Sequence, residues 1–359
     1  MKKILLQVPT GVFGNNKIFA EDINNQTYAY RELKRRLFDF GYNLITADNN
    51  TLDNCEWIFF LDSMSVDGLN VSGGGIKASI KNFFGIKTPR DWPNRPLYQE
   101  AIKIGMRDNL VLFLLEGKAV NPHNYKKELW DKFKYIFTWD DELVDNKKFF
   151  KFFLPAPPQH PPIHDFSFSE KKLLTNMSTN RHSSDKNELY SERRKTIDYF
   201  DKNYPHDFDL YGFKWNQPVT RAQKMFPWLV KKYKTYKGIS EDKIGTLSRY
   251  KFTLSYENLK KTNGYVSEKM FDTISAHSVP VYWGSNDIAN YVDPKVFVDR
   301  RKFKNNEELA NFLKNMSQQE HVEMLMAGQR YLNSEAFKPF LPSSFCENII
   351  KKLGIKKRI

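Results

Sequence analysis

The sequence predicts an α/β protein built from two Rossmann-like domains facing a cleft. Three observations lead there. Strand-like apolar runs alternate with helical spacings along both halves of the chain, a proline-rich segment interrupts the alternation near the middle, and 359 residues exceed what one hydrophobic core usually serves.

In the first half, Ile4 to Val8 is a short apolar run. Tyr28 to Phe40 places Leu33, Leu37 and Phe40 at helical spacing, with Gly41 as a C-terminal stop. Tyr42 to Thr46 and Trp57 to Leu61 follow as buried strands. Leu97 to Met106 reads as a helix, Leu110 to Leu115 as a buried strand, Tyr125 to Phe133 as a helix and Tyr135 to Trp139 as a strand. Strands separated by helices call for a parallel sheet with right-handed crossovers. The sequence between Pro155 and Pro162, PAPPQHPP, sustains neither a helix nor a central strand. It marks an extended linker, dividing the chain into residues 1–157 and 158–345, with a basic C-terminal tail at 346–359. Beyond it the alternation resumes. Lys172 to Met177, Phe208 to Tyr211, Lys251 to Tyr256 and Val279 to Trp283 are strands, Glu188 to Phe200 and Val266 to Ala276 are helices, and the chain from Asn306 onward is mostly helical.

Composition narrows the class of partner. Hydrophobic residues make up 40%, too many for long disorder. A net charge of +14 favours anionic partners: nucleic acid, an acidic membrane surface or a phosphate-bearing small molecule. Charge alone does not choose among them, and the basic residues follow no homeodomain, zinc-finger or RNP-type pattern. Lys351, Lys352, Lys356, Lys357 and Arg358 form a denser run that suits either a solvated tail or peripheral contact with anionic lipid. No stretch approaches the ~20 apolar residues of a membrane span. The start, MKKILLQVP, holds too short an apolar run for a secretory signal. Cys55 and Cys346 match no metal or redox spacing. The expected location is therefore the cytoplasm.

Chemistry concentrates between Thr246 and Val298. A strand leads into a polar loop that delivers Glu257 and Asn258 to its carboxyl end, Gly264 permits a close approach, and a helix starts near Tyr265. Ser267, Glu268 and Lys269 fall in the first turn, where free N–H groups and the helix dipole favour phosphate. Lys269 adds a mobile cation and Glu268 an acceptor pair suited to ribose hydroxyls. Tyr250-Lys251-Phe252, Tyr256-Glu257-Asn258, Tyr265-Val266-Ser267-Glu268-Lys269 and Val279-Pro280-Val281-Tyr282-Trp283-Gly284 occur in this order. Together they resemble the signature region of the family 10 fucosyltransferases. A second segment, Leu173 to Asn180 followed by Tyr190-Ser191-Glu192-Arg193, resembles that family's strand, turn and helix bearing a phosphate-binding arginine.

The resemblance implies a GT-B fold and inverting transfer of L-fucose from GDP-β-L-fucose to a hydroxyl of an acceptor glycan. It points to an α-1,3 link to GlcNAc or Glc in a β-galactoside-type acceptor. It also implies that Arg193, Tyr211, Asn258, Tyr265, Glu268 and Lys269 contact the donor, with Glu268 at the ribose and Lys269 at the diphosphate. Arg194 competes with Arg193 for the phosphate. In-line attack needs a base, and Glu116, directly after the Leu110 to Leu115 strand, stands where a parallel sheet presents side chains to a ligand. No metal cofactor is expected, because Arg193, Lys269 and a helix N-terminus already supply positive charge; Asp140-Asp141-Glu142 reads as a turn. Two competing readings are a GT-B transferase using another nucleotide sugar and a basic nucleic-acid-binding protein.

Overall fold

The computed structural model of the chain describes residues 1–8, 13–21, 27–66, 95–156, 162 and 164–357. It divides into two compact units, Met1–Pro157 with Pro339–Ile359, and Pro158–Lys338. Residues 157–161 of the expected linker lie outside the described residues.

The first unit carries β1 (Lys2–Gln7), α1 (Tyr28–Asp39), β2 (Tyr42–Thr46), β3 (Cys55–Leu61), α2 (Leu97–Lys103), β4 (Leu110–Leu114), α3 (Lys127–Trp130), β5 (Tyr135–Thr138) and β6 (Phe149–Lys151). Its strands form one parallel sheet in the order β2-β1-β3-β4-β5-β6. The chain reverses direction across the sheet between β1 and β3, and ligands of open parallel sheets bind beyond the carboxyl ends at such a point. β4 is buried along its whole length, because helices cover both faces of a parallel sheet.

The second unit carries β7 (Lys172–Met177), α4 (Tyr190–Asn203), β8 (Phe208–Tyr211), α5 (Arg221–Met225), α6 (Lys243–Leu247), β9 (Tyr250–Tyr256), α7 (Glu268–Ser275), β10 (Val279–Trp283), β11 (Val298–Asp299), α8 (Asn306–Asn315) and α9 (Gln318–Leu332). The sheet order is β11-β10-β9-β7-β8, again all parallel, with the reversal between β7 and β9. Pro280 lies inside β10, where it donates no ladder bond. β11 pairs only with Val281 and Tyr282, so Pro280 sits where the strand is paired with β9 alone. α4 buries Arg193, Ile197 and Phe200 at spacings of three and four residues, one face of a helix turned to the sheet.

The C-terminal segment overturns one expectation. Residues 346–359 were read as a basic tail, yet α10 (Pro342–Lys352) is a core helix of the first unit. Phe345, Cys346, Ile349 and Ile350 are buried, Phe345 packs edge-on against Tyr30, and Arg36 of α1 bonds Glu347 at 2.8 Å. Each such apolar side chain removed from water contributes about 1.5–3 kcal/mol, far more than a solvated tail would gain from its lysines. The lysines hid this stripe because they occupy its solvent side.

Candidate functional site

The reversal between β7 and β9 is flanked by the first turns of α4 and α7, each following one of these strands. Side chains from both helices and from the loops after β9 and β10 meet there. Glu257 is the hub, although the sequence marked it only as a loop residue delivered to a strand end. It is fully buried, which is costly for a carboxylate unless its oxygens are satisfied. One oxygen accepts the Ser267 N–H at 2.8 Å; the other accepts the Ser267 hydroxyl at 2.7 Å and the Lys269 ammonium at 3.3 Å. Ser267 in turn caps α7. Gly284 is required beside it, because a Cβ there would run into the Glu257 side chain and the Tyr282 hydroxyl.

Lys269 also donates to the Ser267 hydroxyl at 3.0 Å. Burial pulls its ammonium down, but the charges of Glu257 and Glu268 outweigh this and hold it above the usual lysine value. Glu268 shows the opposite balance. Burial raises its carboxyl, yet the cations Lys269 and Lys243 bring it below the usual range. Both side chains are therefore charged at neutral pH.

Arg193 is 3% exposed and donates through one terminal nitrogen to the carbonyls of Tyr256 and Glu257, at 2.5 and 3.0 Å. Its Nε is buried without a hydrogen-bond partner, and burial lowers its affinity for the proton. A buried guanidinium with an unspent donor suits an incoming anion. Arg194, the competing residue, is half-buried and donates to the Arg181 carbonyl. Asn258 donates to the Tyr265 hydroxyl at 3.3 Å, joining two further predicted residues. Tyr211 is not part of this cluster. Its hydroxyl lies 3.1 Å from that of Tyr250, which donates to Asp209, itself paired with Lys172. Gly212 beside it has φ 118°, and a Cβ there would collide with the Ser178 carbonyl at the end of β7.

The cluster thus gathers cations, N–H donors and one acceptor carboxylate at the N-terminus of α7, a setting for an anionic nucleotide. Comparison with known proteins agrees. Residues 171–325 match the model of the glycosyltransferase family 10 (fucosyltransferase) C-terminal domain. This stretch is a family 10 glycosyltransferase domain. The chain is 38% identical over 88 residues to an α-(1,3)-fucosyltransferase of Helicobacter pylori, a match covering 24% of this chain and 18% of that protein. It is 37% identical over 70 residues to an α-(1,4)-fucosyltransferase of Arabidopsis thaliana, covering 20% and 17% of the two chains. The aligned stretches therefore span under a fifth of either relative. A crystal structure of an α1,3-fucosyltransferase with GDP-fucose superposes over 98% of this chain and 90% of its own, with TM-score 0.52 and 16% identity. T4 phage β-glucosyltransferase superposes over 98% and 99%, with TM-score 0.51 and 12% identity. Likeness at these identities reports the fold: the architecture is GT-B.

In the first unit, Glu116 is half-buried just beyond β4. Sequence reading missed its neighbour Asp62, at the end of β3. Asp62 is 5% exposed and holds φ 60° and ψ 169°, a strained conformation for any residue but glycine. One carboxylate oxygen accepts the Leu115 N–H at 2.8 Å, the Glu116 N–H at 3.2 Å and the Asn124 amide at 2.6 Å. Asn124 also donates to the Glu116 carbonyl at 2.9 Å. Asp62 thereby pins the backbone on which Glu116 sits. Burial first, and the charge of Glu116 second, push its carboxyl from 3.8 to about 7. A raised carboxyl stabilises the fold fully below its unfolded value and loses that contribution as pH rises through about 7. Asp62→Asn keeps the accepting oxygen and cannot ionise. Its melting temperature relative to the parent should therefore rise between about pH 5 and about pH 8; an equal difference at both would contradict the assignment.

The Asp140-Asp141-Glu142 segment forms a turn. The Glu142 N–H reaches the Asp140 carboxylate at 3.1 Å, and Asp141 pairs with Lys151 at 2.7 Å.

Proposed function

We propose that the chain transfers L-fucose from GDP-β-L-fucose to a hydroxyl of an acceptor glycan, with inversion at the anomeric carbon. The observation that carries this reading is the Arg193, Glu257, Ser267 and Lys269 cluster at the N-terminus of α7, inside a family 10 domain. In the proposed reaction Arg193, Lys269 and the helix N-terminus bind the diphosphate and stabilise the charge on departing GDP. Glu268 takes the ribose hydroxyls, and Asn258 and Tyr265 line the donor site. Glu116 accepts the proton of the attacking hydroxyl, and Asp62 holds its loop. The anomeric carbon passes through an oxocarbenium-like state, as in glycoside hydrolysis. The acceptor is a glycan of β-galactoside type with an α-1,3 link, and the setting is the cytoplasm, in keeping with two unpaired thiols.

Isothermal titration with GDP-fucose, GDP-mannose, GDP and UDP tests the donor. Tighter binding of GDP than UDP, and of GDP-fucose than GDP-mannose, is expected; no guanine-nucleotide binding would refute the reading. The second reading is a GT-B transferase that uses another nucleotide sugar; tighter binding of UDP would favour it. The diphosphate site is proposed to work without a metal cofactor, its positive charge coming from Arg193, Lys269 and α7. Transfer should persist in excess EDTA. Complete loss, restored by manganese, would overturn this.

A further inference from the structure

The segment between β8 and β9 carries a feature that the transfer reaction does not use. From Gly212 to Ser240 the chain contains no Asp or Glu. Met225 is 71% and Trp228 76% exposed, and Phe226 and Leu229 beside them in sequence are exposed as well. The Phe226 and Trp228 rings lie 5.2 Å apart. Arg221, Lys224, Lys232 and Lys234 surround these side chains in sequence and are all exposed.

This segment is firmly mounted. Trp215 is buried in the core of the second unit and its indole N–H donates to the Ser178 carbonyl at 2.7 Å. On the return, Thr235 donates twice to Asp201, at 3.0 and 2.8 Å, and the Tyr236 hydroxyl reaches the Gly212 carbonyl at 2.8 Å. α5 has a complete capping box formed by Thr220 and Gln223. The fold spends ordered hydrogen bonds to present large apolar side chains to solvent, where they gain nothing unless something covers them.

We propose that this Arg221–Lys234 face docks on an anionic lipid surface. Lysine is depleted at protein–protein interfaces, whereas tryptophan, phenylalanine and leucine interleaved with lysine mark segments that settle at the lipid headgroup boundary. The absence of any acidic residue over this stretch matches the negative potential of such a surface. Exposed, non-aromatic Met225 and Leu229 suit acyl chains better than they suit nucleobases, which call for flat ring platforms. No helix among the described residues is long and apolar enough to cross a membrane, so the contact is peripheral. It also lies on a different unit from the lysines at Lys351 to Lys357, whose helix is packed into the first unit.

Co-sedimentation of the full-length protein with vesicles tests this. The protein should pellet with phosphatidylcholine vesicles carrying about 30% phosphatidylserine, and remain in the supernatant with phosphatidylcholine alone. Salt at about 0.5 M should release it. Two variants, Phe226→Ser with Trp228→Ser, and Lys224→Glu with Lys232→Glu and Lys234→Glu, should each lower the partition coefficient about tenfold or more. Both replace exposed side chains, so their circular dichroism should match the parent. The proposal fails if the parent ignores anionic vesicles or if the variants bind as the parent does. It fails equally if charge reversal at Lys351, Lys352, Lys356 and Lys357 alone abolishes binding. Capture of a single-stranded oligonucleotide in place of vesicles would reassign the face to nucleic acid.

Discussion

Replacing Glu116 by Gln should slow the proposed fucosyl transfer by about 100- to 10,000-fold, the range that a general base, the role proposed for Glu116, supplies. Gln keeps the size and the backbone of Glu, and the N–H through which residue 116 is held by Asp62 is a main-chain group. The loop should therefore stay in place, and GDP affinity, proposed to rest on residues of the second unit, should stay within about twofold. Steady-state transfer and GDP titration on the same preparation check this. Transfer within a few-fold of the parent would place the base elsewhere, and lost GDP binding would mean a disturbed fold. Asp62→Asn, which leaves Glu116 intact, should cost far less activity than Glu116→Gln.

The second large effect is expected at Lys269. Its ammonium balances the buried Glu257 carboxylate while reaching the Ser267 hydroxyl. Lys269→Ala removes a proposed donor to the diphosphate and leaves the buried Glu257 carboxylate without its cation. A hydrogen bond to a charged group is worth about 1.5–3 kcal/mol, so GDP should bind roughly 10- to 150-fold more weakly. Titration of Lys269→Ala combined with Glu257→Gln separates the two causes. The double variant should regain the thermal stability lost by Lys269→Ala without regaining full GDP affinity. Parent-like affinity in the single variant would remove Lys269 from the phosphate site. Arg193→Ala should weaken GDP binding too, with a larger fall in melting temperature, because the carbonyls of Tyr256 and Glu257 lose their donor.

Much of the fold was legible because local signals and tertiary packing agree. The apolar runs of β4, β9 and β10 are short, bounded and rich in strand formers, so burial and propensity point the same way. The α7 start was legible to within two or three residues: the sequence placed it near Tyr265, and the helix begins at Glu268 with Ser267 as its cap. The C-terminal helix was not. Its lysines dominate the composition, while the stripe of Phe345, Cys346, Ile349 and Ile350 has meaning only once α1 and β4 offer a surface to cover. The partner of the Tyr211 hydroxyl was not legible for a related reason: a Tyr-Gly pair at a strand end says where the backbone goes, not that the hydroxyl meets Tyr250.

Two roles emerged from the three-dimensional arrangement alone. Asp62 lies more than fifty residues before Glu116 in the chain, and only parallel pairing of β3 with β4 brings its carboxylate under the Glu116 loop. Glu257 looked like one polar loop residue among several until the β9–β10 pairing buried it against Ser267 and Lys269. The sequence by itself determined the α/β class, the alternation of strands and helices, and the Tyr265-to-Lys269 motif that lies within the stretch matching the family 10 domain. These are encoded by residues within a few turns of one another. Tertiary structure alone decided which carboxylates are buried, which cations neutralise them, and that the basic C-terminus closes the first unit's core. Burial and charge pairing depend on distances between segments remote in sequence, and periodicity carries no record of those.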